Sequence, residues 1–171
     1  MGKHGLLRSR AMEIREATDG DWPQLWPIYD AIVTAGETYA YPQGSEAQAR
    51  ALWMERPPGH VVVAHEGGRV LGTAKMGPNR PGRGDHVATA SFMVPPAHSG
   101  RGVGRALGRY VLDWAKAQGY LSMQFNAVVE TNTAAVHLWR ALGFELIGTV
   151  PESFRHPTHG LVGLHVMWRR L

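Results

Sequence analysis

Three glycines at alternate positions, Gly100, Gly102 and Gly104, stand between a proline pair and a segment of helical period. Glycine lets a backbone approach a ligand closely and adopt positive φ. The first amides of the following helix have no intrahelical partner and point outward at the positive end of the helix dipole. Those residue types in that order build an anion site. Arg101 and Arg105 can add charge-assisted bonds to it. The dipole supplies only about 0.3–1 kcal/mol per charge, whereas a micromolar ligand needs about 8 kcal/mol. Several amide bonds and contacts to a long ligand arm must therefore contribute, which favours an extended diphosphate ligand over free phosphate. On the glycines alone, a flexible loop ahead of a core helix is equally open. Two other phosphate motifs do not fit. The turn lacks Gly-Lys-Ser/Thr, and no acidic residue follows about 20 residues later, where Ser122 and Gln124 stand.

The elements that position this turn follow from periodicity. Glu13 to Ala17 alternates and predicts a first strand. Asp19 or Asp21 caps a helix from Trp22 to Thr34, with Pro23 in its first turn. Gly36 to Pro42 is a loop with a heavy aromatic load. Ser45 caps a second helix reaching Glu55, stopped by Pro57-Pro58-Gly59. The apolar runs His60–His65 and Arg69–Met76 flank Glu66-Gly67-Gly68 as a hairpin. Pro78 to Gly84 is a Gly/Pro/Arg loop, and His86 to Val94 is a strand ended by Pro95-Pro96.

Val103, Ala106, Leu107, Tyr110, Val111 and Trp114 recur at helical spacing, and Gly119 stops that helix. Tyr120 to Val129 alternates, with Leu121, Met123, Phe125 and Ala127 on one face and Ser122, Gln124 and Asn126 on the other. Asn132 opens a short helix through Leu142. Phe144–Val150 and Leu161–Arg169 are the last strands, joined by a His/Pro-rich loop. The order β-α-α-β-β-β-α-β-α-β-β predicts one α/β (α+β) domain over residues 13–171, with a mixed sheet packed by helices. Residues 1–12 carry no period and are expected to be a flexible extension.

Composition removes several alternatives. A chain of 171 residues suits one domain, and 44% hydrophobic with 19% charged residues is globular. No apolar run approaches the ~18 residues of a membrane span, and Met1–Arg10 lacks the apolar core of a secretory signal. With no cysteine there is no disulfide, thiolate metal site or cysteine nucleophile, and a cytoplasmic location is expected. The net charge is +4, but the basic residues are scattered apart from Arg80/Arg83, Arg101/Arg105/Arg109 and Arg169/Arg170. No stripe interleaves them with aromatics, so no nucleic-acid partner is expected. The nine histidines are dispersed and His156-Pro157-Thr158-His159 is not a usual ligand spacing, so no metal is expected.

Two segments carry a resemblance. Arg101-Gly102-Val103-Gly104-Arg105-Ala106-Leu107 resembles the pyrophosphate-binding turn of the GNAT superfamily of acyl-CoA-dependent N-acyltransferases. Asn132-Thr133-Ala134-Ala135-Val136-His137-Leu138-Trp139-Arg140-Ala141-Leu142-Gly143-Phe144 resembles that family's second motif, Asn-x-x-Ala-x-x-Leu-aromatic-x-x-x-Gly-Phe. The motifs stand in the family's order and separation, and the strand order matches from Ile14 onward. The resemblance implies an antiparallel-rich sheet of seven strands and four helices, splayed in the middle, with acetyl-CoA as co-substrate. The backbone of Met93 and Val94 would bond the pantetheine arm as an added strand. Ser99, Gly100, Arg101, Gly102, Val103, Gly104, Arg105 and Ala106 would hold the pyrophosphate, and Asn132, Ala135 and Trp139 would lie along the arm and thiol.

Two departures stand out. Ser99 occupies a position where the family often has Gln or Arg. Trp139 replaces the common tyrosine, the acid proposed to protonate the leaving thiolate. A thiol of pKa about 8.5 is a tolerable leaving group without one; a water or another tyrosine is the alternative.

For the acceptor, an amine must be neutral to attack, so a base or a water chain is expected. Glu37 is the leading candidate, because the family places its acceptor pocket in that loop. Asp85 and His86, at the start of the cleft strand, are weaker candidates. The segment Phe125–Asn132 resembles a branch that includes fungal acetyltransferases of proline-like imino acids, which gives Asn126 a substrate-holding role. Tyr39, Tyr41 and Phe154 would wall the pocket. The function implied is acetyl transfer to a small-molecule amine or amino acid. A protein acetyltransferase and a non-catalytic CoA-binding module are the alternatives. Analogy adds a homodimer through the late strands.

Overall fold

The computed structural model describes residues 11–171. Of the expected N-terminal extension, residues 1–10 lie outside the described residues. Met12 packs, partly buried, against the larger core cluster.

Seven strands form one sheet in the order β1-β2-β3-β4-β5-β7-β6. They are β1 (Glu13–Glu16), β2 (His60–Glu66), β3 (Arg69–Pro78), β4 (Val87–Met93), β5 (Ser122–Val129), β6 (Glu145–His156) and β7 (Gly160–Arg170). The helices are α1 (Trp22–Ala35), α2 (Glu46–Trp53), α3 (Val103–Ala117) and α4 (Thr133–Ala141). Neighbouring strands run antiparallel except β4 and β5, which α3 joins as a parallel crossover. That parallel ladder holds only the pairs Val87↔Ser122 and Ala88↔Met123. Beyond them the two strands part and leave a gap in the middle of the sheet.

Each face of the sheet has its own core. On one, α1 and α2 bury Trp22, Leu25, Tyr29 and Trp53 against Val61, Val63 and Met93. On the other, α3 and α4 bury Leu107, Val111 and Trp139 against Ala74, Met76, Met123 and Phe125. Glycine permits the closest approach between α3 and α4. A Cβ on Gly108 would stand 2.6 Å from Leu142 Cδ1.

The α1 cap differs from the expectation. Asp21 is the N-cap residue, yet its side chain makes no capping bond to the helix. It pairs instead with Arg15 at 2.7 and 2.8 Å and accepts from the Thr18 amide at 2.8 Å. The guanidinium holds the Asp21 carboxyl down at about 2. Ser45 caps α2 through a reciprocal bond with Gln48, and that helix stops at Trp53 rather than Glu55.

Two strand readings need correction. In β5 the register shifts between Phe125 and Val128, where a bulge inserts a residue. Leu121 is 63% exposed and precedes the strand, and Ala127 is exposed at the bulge, so neither shares the buried face of Met123 and Phe125. The His/Pro-rich segment is mostly strand, because β6 runs on to His156 through two irregularities. His156 Nδ1 accepts from the Thr158 and His159 amides at 3.2 Å, which makes it a turn residue.

Candidate active site

The gap between β4 and β5 opens into a cleft of about 1060 Å³. Its donor end is built by the glycine turn. Pro95 and Pro96 end β4, and a short 3-10 turn, Pro96–His98, redirects the chain. Gly100 and Gly102 then take φ of +74° and +78°. Gly102 is the N-cap of α3 and has no side chain to bond the helix amides. The first intrahelical bond runs from the Ala106 amide to the Gly102 carbonyl at 3.0 Å. The amides of Val103, Gly104 and Arg105 lie ahead of it and have no intrahelical acceptor. Gly104 packs against α4, where a Cβ would meet Leu138 Cδ2 at 3.3 Å.

Ser99, Gly100, Gly102, Val103, Gly104 and Arg105 line the cleft. Arg101 does not. Its guanidinium bonds Glu66 Oε2 at 3.1 Å and lies 3.5 Å from His98 Nδ1, tying the turn to the β2–β3 hairpin. Burial, with Arg69 and Arg101 nearby, pushes the His98 imidazole below its ordinary pKa. Ala106 sits one turn into α3, half-buried and outside the cleft wall.

The middle of the cleft is aromatic. Trp139 packs tilted against Phe92 and edge-on to Phe125, with centroids 4.6 and 4.8 Å away. Asn132 caps α4 by accepting from the Ala135 amide at 3.3 Å, and Asn132, Ala135 and Trp139 all line the cleft. The side chain of Met93 is buried in the α1/α2 core, and Val94 reaches the cleft. At Phe92 the backbone faces the gap. The Tyr39 hydroxyl donates to the Phe92 carbonyl at 2.6 Å and accepts from its amide at 2.8 Å. These groups would serve β5 if the ladder continued. Alternation along a strand turns the same groups of Met93 toward β3, where Thr73 is its register partner.

The acceptor end lies against α1 and α2. Tyr39 stacks on Tyr41 at 5.4 Å and forms a wall with Glu37, which is exposed. Burial raises the Tyr39 phenol well above its ordinary pKa and keeps it protonated. Asn126 lines the cleft at the β5 bulge. Its Nδ2 donates to Asn79 Oδ1 at 2.6 Å, and its Oδ1 accepts from Gln124 at 2.9 Å. Phe154 closes one side, packed with Val129 and Val162. Asp85 and His86 stand outside the lining.

Three lining or neighbouring polar residues escaped the sequence reading: Lys75, Glu55 and Asn79. A single lysine amid the apolar run of β3 was the signal available for the first. Among the described residues no group of three or more His, Asp or Glu could hold a metal ion, and no helix is long and apolar enough to cross a membrane. A second groove of about 660 Å³, bordered by Arg109, Trp168 and Arg169, contains none of the predicted site residues.

An open sheet parted between β4 and β5, with a glycine turn at one end of the gap, defines the class of protein. The model of the Acetyltransferase (GNAT) family matches residues 13–144, and the chain belongs to that family. The structure of a GCN5-related N-acetyltransferase from Kribbella flavida is 59% identical, with a TM-score of 0.91 over 94% of this chain and 98% of that one. A phosphinothricin acetyltransferase from Sinorhizobium meliloti, solved in complex with AcCoA, is 25% identical with a TM-score of 0.82, over 94% and 88% of the two chains. The L-amino acid N-acyltransferase MnaT of Escherichia coli is 32% identical over 82% of this chain and 84% of its own. The N-acetyltransferase aca1 of Schizosaccharomyces pombe is 36% identical over 53% of this chain. The match spans 43% of that relative's length, less than half of it.

Proposed function

We propose that this chain transfers the acetyl group of acetyl-CoA to the amine of a small molecule or amino acid, by direct attack in a ternary complex. One observation carries the reading. A single cleft joins the free amides of the α3 N-terminus to an aromatic-walled pocket on the opposite face of the sheet. Donor and acceptor can then meet in the gap between β4 and β5. The relatives named for amino-acid acylation and for AcCoA binding support the same assignment.

In this reading the amides of Val103, Gly104 and Arg105 hold the pyrophosphate, with Ser99, Gly100 and Gly102 shaping the turn. Arg105 adds charge, while Arg101 braces the turn through Glu66. The pantetheine arm adds as a strand along β4 beside Met93 and Val94, taking backbone groups that face the gap, and passes Asn132, Ala135 and Trp139. The acceptor sits between Tyr39, Tyr41 and Phe154, held by Asn126. Glu37, directly or through water, takes the ammonium proton. The amine nitrogen then attacks the thioester carbon, the surplus proton on that nitrogen passes to water, the C–S bond breaks, and the thiolate leaves. Trp139 has no acidic proton to give it. The Tyr39 phenol already donates to the Phe92 carbonyl and is held well above its ordinary pKa, so water is the proton source.

Release of free thiol from acetyl-CoA across an amine panel tests the activity. Tight CoA binding without thiol release for any acceptor sinks it and leaves a CoA-binding module. A protein acceptor needs an open groove, against which the stacked Tyr39–Tyr41 wall stands. The reading includes a cytoplasmic location, no metal and no nucleic-acid or membrane partner. It also includes a homodimer through the late strands, where Ile147, Val150 and Leu161 are 60%, 52% and 51% exposed.

A further inference from the structure

Lys75 is a cation that the donor site does not use. It stands on β3 between the buried residues Ala74 and Met76, and its side chain is only 13% exposed. Nζ donates to Glu55 Oε1 at 2.7 Å and to the Leu52 carbonyl at 2.8 Å. It also lies 5.7 Å from the centroids of both the Tyr41 and Trp53 rings. A lysine on a strand ordinarily extends its head into water. Here α2, its C-terminal flank and two rings hold the ammonium in one place. An ammonium has three donors, and among the described residues only these two acceptors engage it.

Position gives this cation a role. Lys75, Glu55 and Tyr41 all line the cleft. Among the described residues, Arg105 is the other Lys or Arg side chain on its wall, and it belongs to the first turn of α3 at the donor end. A carboxylate entering the aromatic acceptor end therefore finds, among the described residues, one fixed positive partner, and leaving it unpaired there is costly. Lys75 is in register with Ser91, the residue before Phe92, whose backbone faces the gap. The backbone of Lys75 thus stands one strand from β4, and its ammonium lies beside Tyr41 on the wall of the acceptor pocket. That span suits a molecule whose carboxylate and amine are close together.

We propose that Lys75 binds the carboxylate of the acceptor, so that the acceptor is an α-amino acid or an amine with a carboxylate equally near its nitrogen. This rests on the acetyl-transfer reading above. The ligand carboxylate takes the third N–H of the ammonium. Glu55 is a positioning residue that aims Lys75 and leaves one donor free. An amine without a carboxylate gains nothing from this contact.

Thiol release from acetyl-CoA is measured with L-leucine and with isoamylamine, its decarboxylated counterpart. The native protein is expected to show a KM for leucine at least about 10-fold below that for the amine. Lys75→Met keeps a long apolar stem on the two rings and should raise the leucine KM about 10–100-fold while leaving the amine's unchanged. Glu55→Gln keeps a hydrogen-bonding partner for Lys75 and removes the competing charge, so the leucine KM should hold or fall. Equal KM values for the two acceptors in the native protein overturn the proposal. So does a loss in both variants that strikes both acceptors alike, which is the mark of a mere strut. If Lys75→Met fails to bind CoA, the native comparison and Lys75→Gln decide. If no amine yields thiol, the transfer reading itself fails. Calorimetric titration of leucine into CoA-saturated protein then still tests the contact. Binding that Lys75→Met removes supports it, and no binding to the native protein overturns it.

Discussion

A single hydroxyl satisfies the edge of β4 where it parts from β5. Tyr39 satisfies both backbone groups of Phe92, the same groups a ligand added as a strand would take. Tyr39→Phe should therefore lower stability by about 1–3 kcal/mol, because a buried donor and acceptor lose their partner. That loss should shrink when CoA saturates the cleft, as read from denaturant midpoints with and without ligand. At the donor end, Gly102→Val forces a branched residue into φ of +78°, and Gly104→Val crowds Leu138 and the ligand path. Both should weaken CoA binding more than about 10-fold in calorimetry, since the strain and the lost amide contacts each cost about 1–2 kcal/mol. Asn126→Ala should keep CoA affinity and impair only acceptor use. The opposite pattern would unseat the assignment of donor and acceptor ends.

Helix ends and helix contacts set what the elements can bear. Asp21 anchors the entry to α1 through Arg15, and its folded pKa lies below the unfolded carboxylate value. Its stabilisation is thus present above about pH 4 and is lost as pH falls through about 2. Asp21→Asn should cost about 1–2 kcal/mol at neutral pH, less than full linkage implies because Arg15 is half exposed to water. The deficit should vanish in melts run at strongly acid pH. Gly108→Leu would drive a side chain into Leu142 and Trp139. It should destabilise by about 1–3 kcal/mol, visible as a lower melting temperature even where the turn still binds CoA.

The elements also show what the sequence could and could not reveal. The glycine turn and the Asn132–Phe144 motif were legible because their chemistry is local. Alternation and helical period reproduced the strand and helix order. The β5 bulge was not legible, since period alone cannot report which residues a partner strand skips. Arg101 bonds Glu66, 35 residues away, a partner that sequence spacing does not report. Lys75 stayed hidden for the same reason. Its meaning comes from Tyr41, Trp53 and Glu55, brought over β3 by a loop and a helix that no spacing rule connects to it.

At the scale of the whole molecule, β6 stands out. Leu146, Ile147 and Val150 leave this edge strand unusually apolar toward solvent. If a second copy covers it, Ile147→Lys with Val150→Lys should shift the light-scattering mass from dimer to monomer. The CoA affinity should survive that change, because neither residue lines the cleft.

The two cores on opposite faces of the sheet carry a consequence for how such a protein diversifies. Residues around the donor turn answer to the α3/α4 core, and the walls of the acceptor pocket answer largely to the α1/α2 core. Substitutions in the 36–44 loop or in α2 can redraw acceptor choice while the donor half keeps its packing. Descendants of one ancestral chain can then change clients yet retain a common currency. Exchange of the 36–55 segment between relatives is the natural route to altered selectivity in the laboratory.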